Sequence, residues 1–222
     1  MGVRHPRLGA VLALGGDLGL EEAVERPRRG VRPILLASTS PQRRAILEQL
    51  GISFDVVAPA YEENDPPGLS PVEAVRAHAV GKARSVAHLA SGRPVVGVDT
   101  EVVIDGQVLG KPGSMTEAAV MIRRLGGRAH DVVSGICLIG DGLEETAHDV
   151  TRVLFRELAA REVDAYVATG EWEGRAGAYA IQGRGAALVE RIEGDYLNVV
   201  GLPAAMLIQV LKRRFPGVFG NG

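Results

Sequence analysis

The sequence predicts an α/β domain, because strand-like and helix-like segments take turns along it in three consecutive stretches. The first is Ile34 to Gly51, ILLASTSPQRRAILEQLG, a short buried strand running directly into a capped helix. The second is a helix opened by Ser70-Pro71-Val72-Glu73, a capping box with proline at the first helical position, leading to the β-branched run Pro94 to Ile104. The third is a helix opened by Ser114 and Glu117 and followed by further β-branched segments.

The chain has 222 residues, 46% of them hydrophobic, enough to bury a core in one domain or in two lobes about a cleft. A net charge of −2 offers no bulk attraction to nucleic acid or anionic lipid. The single cysteine, Cys137, excludes an internal disulfide framework and a zinc cluster, in keeping with a reducing cytoplasm. No apolar run approaches the ~20 residues of a membrane span. Residues 1 to 30 read as a peripheral N-terminal extension, in which Leu18 to Val24 suits a short helix and Arg26 to Arg32 a basic linker. The apolar run Ala10 to Leu14 is cut at once by Gly15 and Gly16, too early for a secretory core. The folded domain is expected over 31 to 216, with 217 to 222 as a tail.

Within Ile34 to Gly51, Ser40 can N-cap the helix, Pro41 suits its first position and Gly51 supplies a left-handed stop. The strand end therefore meets a helix N-terminus, where free N–H groups and the helix dipole converge beside Ser38, Thr39, Ser40 and Arg43. Phosphate fits such a corner, although a plain structural turn uses the same residues. Ile52 to Ala58 alternates as a strand that ends at Pro59. The loop AYEENDPPGLSP carries Glu62, Glu63 and Asp65, either as solvated surface or as ligand donors. The helix from Ser70 runs to about Leu89 and holds Lys82 in its middle, ordinarily a solvent-facing charge.

In Pro94 to Ile104 the carboxylate of Asp99 interrupts an apolar run, so it must reach solvent at a cleft or meet a cation. Glu101 lies two residues on and shares its face. The pair suits a hard cation such as Mg²⁺ or Mn²⁺ completed by phosphate oxygens, or an exposed edge strand. Asp105-Gly106 closes a hairpin, and Lys111 follows in VLGKPG. The helix from Ser114 stops at Gly126-Gly127. His130 to Ile139 and Thr146 to Arg156 are strands joined at Asp141-Gly142, with His130 and His148 as structural residues, and Arg161 to Thr169 is a short helix. In AGAYAIQGRGAALVERIEGDYLNVVGLP, a strand to Ile181 and another from Ala186 to Ile192 put Gln182 at a tight turn. A carboxamide there offers one donor and one acceptor to a base edge. Gly177, Gly183 and Gly185 are too irregular for a dinucleotide fingerprint. Pro203 opens a final helix with Met206, Val210 and Leu211 inward and Lys212 to Arg214 at its C-terminus.

Taken in order, LLASTSPQRRAIL, the loop glutamates, AVGKA, GVDT, GKP, AGAYAIQG and VVGLP resemble the Maf family of nucleoside triphosphate pyrophosphatases, the septum-formation proteins, from about Arg32 to Phe215. That resemblance implies a mixed-sheet Maf/ITPase-like fold with two lobes about a central nucleotide-binding cleft, and a cytoplasmic homodimer. It implies hydrolysis of a nucleoside triphosphate to monophosphate and diphosphate with a divalent cation, Mg²⁺ or Mn²⁺. Ser38, Ser40 and Arg43 match its phosphate-binding positions, Lys82 and Lys111 its catalytic cations, and Glu63 and Asp99 its metal carboxylates, with Asp99 also the general-base candidate. Gln42, Thr100 and Gln182 fall at specificity positions, and Thr100 with Gln182 resembles members acting on dTTP and UTP rather than the 7-methyl-GTP type. Gln42 stands where pyrimidine-directed members often carry arginine, and Glu101 where an apolar residue is usual. A rival from another class is a nucleotide-binding regulator of septum formation with little turnover.

Overall fold

A computed structural model describes residues 32–64 and 68–219. The expectations for residues 1 to 30 and for Asp65 lie outside the described residues. Strand β1 (Ile34–Ala37) leads through helix α1 (Pro41–Gln49) to β2 (Phe54–Val57), and β2 leads through α2 (Pro71–Val86) to β3 (Val95–Ile104). These three strands run parallel, with β1 in the middle. From β3 onward every pairing is antiparallel. A hairpin gives β4 (Gln107–Leu109), α3 (Met115–Leu125) follows, and β5 (Ala129–Gly140) and β6 (Leu143–Phe155) form a long hairpin. After α4 (Ala160–Val167) come β7 (Val189–Glu193), α5 (Tyr196–Val200) and α6 (Ala204–Arg214). The sheet order is β2-β1-β3-β5-β6-β7, with β4 beside β3. The result is the expected α/β fold with an open mixed sheet.

Alternation along β1 sorts the layers. Ile34 and Leu36 join Ile46 and Leu47 of α1 and Leu207 and Leu211 of α6 on one face, while Leu35 and Ala37 meet Ala79, Ala83 and Val86 of α2 on the other. A separate core packs α3 and α4 against the far half of β3, through Val102, Ile104, Phe155 and Trp172. The cleft between these cores has a simple origin in strand pairing. Strand β5 runs along one edge of β3 from Val95 to Val103. The other edge is shared between β1, which takes Val95 to Gly97, and β4, which takes Val102 to Ile104. Residues 98–101 have no strand partner there among the described residues, and Asp99, Thr100 and Glu101 fall in that gap.

Several local expectations are met with modification. Ser40 caps α1 and Ser70 with Glu73 forms a reciprocal box on α2. Ser114 caps α3, but the Glu117 carboxylate accepts from the N–H of Gly113 at 2.8 Å, one residue before the cap. Strand β6 starts at Leu143 rather than Thr146, because Asp141 (φ 49°) and Gly142 (φ 77°) make a two-residue turn that lets pairing resume at once. The strand expected up to Ile181 does not form. Gly177, Ala178 and Gly183 have φ of 67°, 63° and 74°, which no strand accommodates, so the chain makes two 3₁₀ turns over Ala176–Ala178 and Gly183–Leu188. Pairing begins only at Val189, and Gln182 therefore sits at the entry to a 3₁₀ turn instead of a hairpin tip.

Candidate active site

The corner between β1 and α1 assembles as the sequence suggests. Ser38 is buried, and its hydroxyl oxygen accepts from the N–H of Ser40 at 3.2 Å and from Nη1 of Arg43 at 2.9 Å. Ser40 accepts from the N–H of Arg43 at 3.4 Å and donates to Oε1 of Gln42 at 3.2 Å. The guanidinium of Arg43 is further fixed by Nε donating to the carbonyl of Gly201 at 2.9 Å and Nη2 to Oγ1 of Thr100 at 3.4 Å. Thr100 also shares a 2.8 Å hydrogen bond with Ser134. Burial lowers the pKa of Arg43 from its ordinary value, while Asp99 and Glu63 push the other way. It stays a cation regardless, since arginine starts so high.

The second half of the site depends on how closely α2 lies on the sheet. A Cβ on Gly97 would stand 2.1 Å from the carbonyl oxygen of Ala79, and one on Gly135 would stand 2.4 Å from that of Val75. Glycine at both positions lets the helix backbone rest on β3 and β5. Lys82 is thereby carried under the sheet edge, 8% exposed, in contrast to the solvent-facing position expected of a mid-helix lysine. Its Nζ lies 2.5 Å from Oδ1 of Asp99 and 2.6 Å from Oε1 of Glu63. The loop that supplies Glu63 is pinned by Tyr61, whose ring occupies the space where a side chain on Gly81 would be and whose hydroxyl meets Nδ1 of His78 at 3.1 Å. Burial works to raise the pKa of Glu63, but the hydrogen bond and charge of Lys82, with His78 and Lys111, hold it below the usual value.

Around these groups lies a cleft of about 620 Å³, well within the range of small-molecule sites. Ser38, Ser40, Gln42, Arg43, Glu63, Lys82, Asp99, Thr100, Lys111 and Gln182 all line it, so the structure brings together the ten residues that the family resemblance singled out, while Glu62 does not line it. Lys111 is exposed on the loop after β4, and Gln182 is exposed on the cleft wall with no hydrogen bond to its carboxamide among the described residues. Two features escaped sequence reasoning. One is Arg175, a half-buried cation on the cleft wall, whose only signal was its place directly before AGAYAIQG. The other is the carbonyl of Gly201, a backbone atom that no side-chain pattern announces. Cys137 and His148 take no part. Burial raises the Cys137 thiol to about 12, and His148 is an exposed residue of β6.

Residues 33–214 match the family model described as Maf-like protein. The chain belongs to the Maf family. Among its relatives, the dTTP/UTP pyrophosphatase of Nitratidesulfovibrio vulgaris is 49% identical over 190 residues, covering 85% of this chain and 90% of that protein. That of Pelotomaculum thermopropionicum is 46% identical over 185 residues, 82% of this chain and 97% of its own. The one from Methanosarcina barkeri is 42% identical over 196 residues, 86% and 99% of the two chains. The cleft described above thus lies wholly within the Maf-matched segment.

Two carboxylates of the cleft, Glu63 and Asp99, aim oxygens at one point, which Lys82 Nζ fills. Among the described residues no group of three or more His, Cys, Asp or Glu forms a metal site from protein alone. This donor set fits a hard cation that takes one or two carboxylates and completes its shell with phosphate oxygens and water.

Proposed function

We propose that this Maf protein hydrolyses nucleoside triphosphates to monophosphate and diphosphate, with pyrimidine triphosphates preferred. The observation that carries the proposal is the convergence of Lys82, Asp99 and Glu63 beside the Ser38–Arg43 corner, cations and carboxylates sharing one cleft. Arg43, Lys82 and Lys111 are the cations that offset the charge on the phosphate chain, most of all the charge growing on the departing diphosphate. The buried carboxylate of Asp99 orients a water towards the α-phosphorus and takes its proton as the new P–O bond forms. The bond from that phosphorus to the bridging oxygen breaks, and the electron pair leaves with diphosphate. Glu63 and Asp99 are the residues that would hold Mg²⁺ or Mn²⁺, which when bound supplies charge neutralisation at the phosphate oxygens.

The names of the relatives support the pyrimidine preference, and so does Gln182, whose carboxamide keeps both a donor and an acceptor available to a ligand. Gln42 already accepts from Ser40, which leaves its amide N–H groups for the base. Among the described residues no helix is long and apolar enough to cross a membrane. A cytoplasmic homodimer is part of the proposal and is read by sedimentation and fractionation.

Diphosphate release from a panel of dTTP, UTP, CTP, GTP and 7-methyl-GTP, with Mg²⁺ or Mn²⁺ and after chelation, tests the proposal. Turnover of dTTP and UTP that chelation abolishes is the expected result. Tight nucleotide binding without diphosphate release would replace the enzyme with the septum-linked binding regulator.

A further inference from the structure

We propose that Thr151 and Asn198 are positioning residues of this cleft, acting on Arg43 and Thr100 through the carbonyl of Gly201. The inference rests on the pyrophosphatase reading, but its geometry lies outside the cleft. Neither residue lines the site, and both are fully buried. Thr151 stands on β6, and its hydroxyl makes three hydrogen bonds. Oγ1 accepts from the N–H of Asp195 at 3.1 Å and from Nδ2 of Asn198 at 3.0 Å, and it donates to the carbonyl of Asp195 at 3.2 Å. Asn198 also donates from Nδ2 to the carbonyl of Val132 on β5 at 3.0 Å. The turn before α5 fits around this hydroxyl only as glycine, since a Cβ on Gly194 (φ 132°) would lie 2.7 Å from Oγ1 of Thr151.

These bonds have a mechanical purpose. With five residues, α5 is far too short to hold itself in place, so its position is set by the apolar contacts of Leu197, Val199 and Val200 with the two cores and by the directional hydrogen bonds of Thr151 and Asn198 to the sheet. It ends at Gly201, whose φ of 126° turns the chain and leaves its carbonyl facing the cleft. That single oxygen accepts from Nε of Arg43 at 2.9 Å and from Oγ1 of Thr100 at 3.3 Å. A guanidinium recognises phosphate as a planar fork, so fixing Nε on Gly201 and Nη1 on Ser38 sets the plane in which its remaining donors meet the ligand. The pair is not there for stability alone, since Oδ1 of Asn198 is buried with no hydrogen-bond partner among the described residues, an expensive arrangement, and an apolar pair would anchor a helix with less constraint on direction. What the polar pair adds is a fixed direction for the Gly201 carbonyl.

A double-mutant cycle on the full chain tests this, with kcat, KM and Tm measured for dTTP. Thr151→Val is expected to raise KM about tenfold with kcat falling less than threefold, and Thr151→Ser, which keeps the oxygen, to stay near wild type. In an Arg43→Lys background, Thr151→Val should add less than a further twofold, because the fork it aims is gone. An equal factor in both backgrounds, or a lower Tm with unchanged KM, would overturn the proposal and leave the pair purely structural. If Thr151→Val does not fold, Gly201→Ala carries the same cycle. Its φ disfavours alanine, while the added Cβ would meet nothing within 4 Å. If the wild type releases no diphosphate from any triphosphate, the enzyme proposal fails by itself. The positioning claim is then read from the same cycle in Kd for α,β-methylene dTTP.

Discussion

Gly97→Ala asks whether the charge cluster exists because helix α2 touches the sheet. The new Cβ would stand 2.1 Å from the carbonyl oxygen of Ala79 and 2.8 Å from the nitrogen of Ala83. Both are backbone atoms, so no rotamer change relieves the clash, and α2 must retreat by about 1.3 Å to recover ordinary contact. Lys82 lies within one turn of Ala79, with only 2.5 and 2.6 Å between its Nζ and the two carboxylates. A retreat of that size stretches both links to about 3.8–3.9 Å, beyond a useful hydrogen bond. Overpacking of this kind costs about 1–3 kcal/mol. For a chain of this length that is a fall in Tm of roughly 3–10 °C. Turnover should suffer more, by about a hundredfold, since a 1 Å misplacement at a reacting centre has that scale. Diphosphate release from dTTP, measured where circular dichroism shows the variant folded, reads the effect. Gly217→Ala, whose Cβ would meet nothing within 4 Å, is the control. A Gly97→Ala protein with wild-type Tm and turnover would refute the idea that this contact sets the site.

Asp99→Asn keeps shape but loses charge and basicity, so turnover should drop about a thousandfold while a nonhydrolysable triphosphate still binds; near-normal turnover would remove Asp99 from the chemistry. Gln182→Glu should shift the ranking of kcat/KM away from dTTP and UTP and towards 7-methyl-GTP, and an unchanged ranking would show that this side chain does not read the base. His130 is buried against Phe155 and Tyr179, and burial holds its pKa down at about 4 from an ordinary 6.5, with Asp131 opposing. The unfolded chain therefore takes up a proton first as pH falls, and stability present above pH 6.5 is lost between there and about pH 4, by roughly 3 kcal/mol in all. His130→Phe should lose less Tm than wild type across that window, and parallel curves would rule the histidine out.

Much of this was legible in the chain because it is local. The cap at Ser40, the box at Ser70, the hairpin turns at Asp105-Gly106 and Asp141-Gly142 and the stop at Gly51 depend on neighbours within a few residues. Asp99 betrayed itself as a carboxylate among valines. Lys82 did not, because its burial is decided by Gly97 and Gly135, far away in sequence, which let α2 sink onto the sheet. The segment around Gln182 misled through composition. Small and β-branched residues suggested strands, whereas left-handed backbone at Gly177, Ala178 and Gly183 made turns. The short helix α5 gave little periodicity to detect, yet its terminal carbonyl holds Arg43.

The sequence ASTSP, Ala37 to Pro41, opens the site as well as lining it. Successive side chains on a strand point to opposite faces, so Asp99 meets Lys82 of α2 on one side while Thr100 meets Arg43 and Gly201 on the other. A single ligand can reach both only where the edge of β3 between them is open. It is open because β1 stops at Ala37, paired with Gly97. Ser38 enforces the stop: its N–H turns back to the carbonyl of Leu36 at 3.0 Å instead of joining the ladder, and Pro41 commits the chain to α1. Two more paired residues on β1 would lay backbone alongside Asp99 and close the cleft. The hydroxyl-rich junction therefore does two things with the same residues. It ends the strand early enough to expose β3, and it puts Ser38, Ser40 and Arg43 at the opening so made.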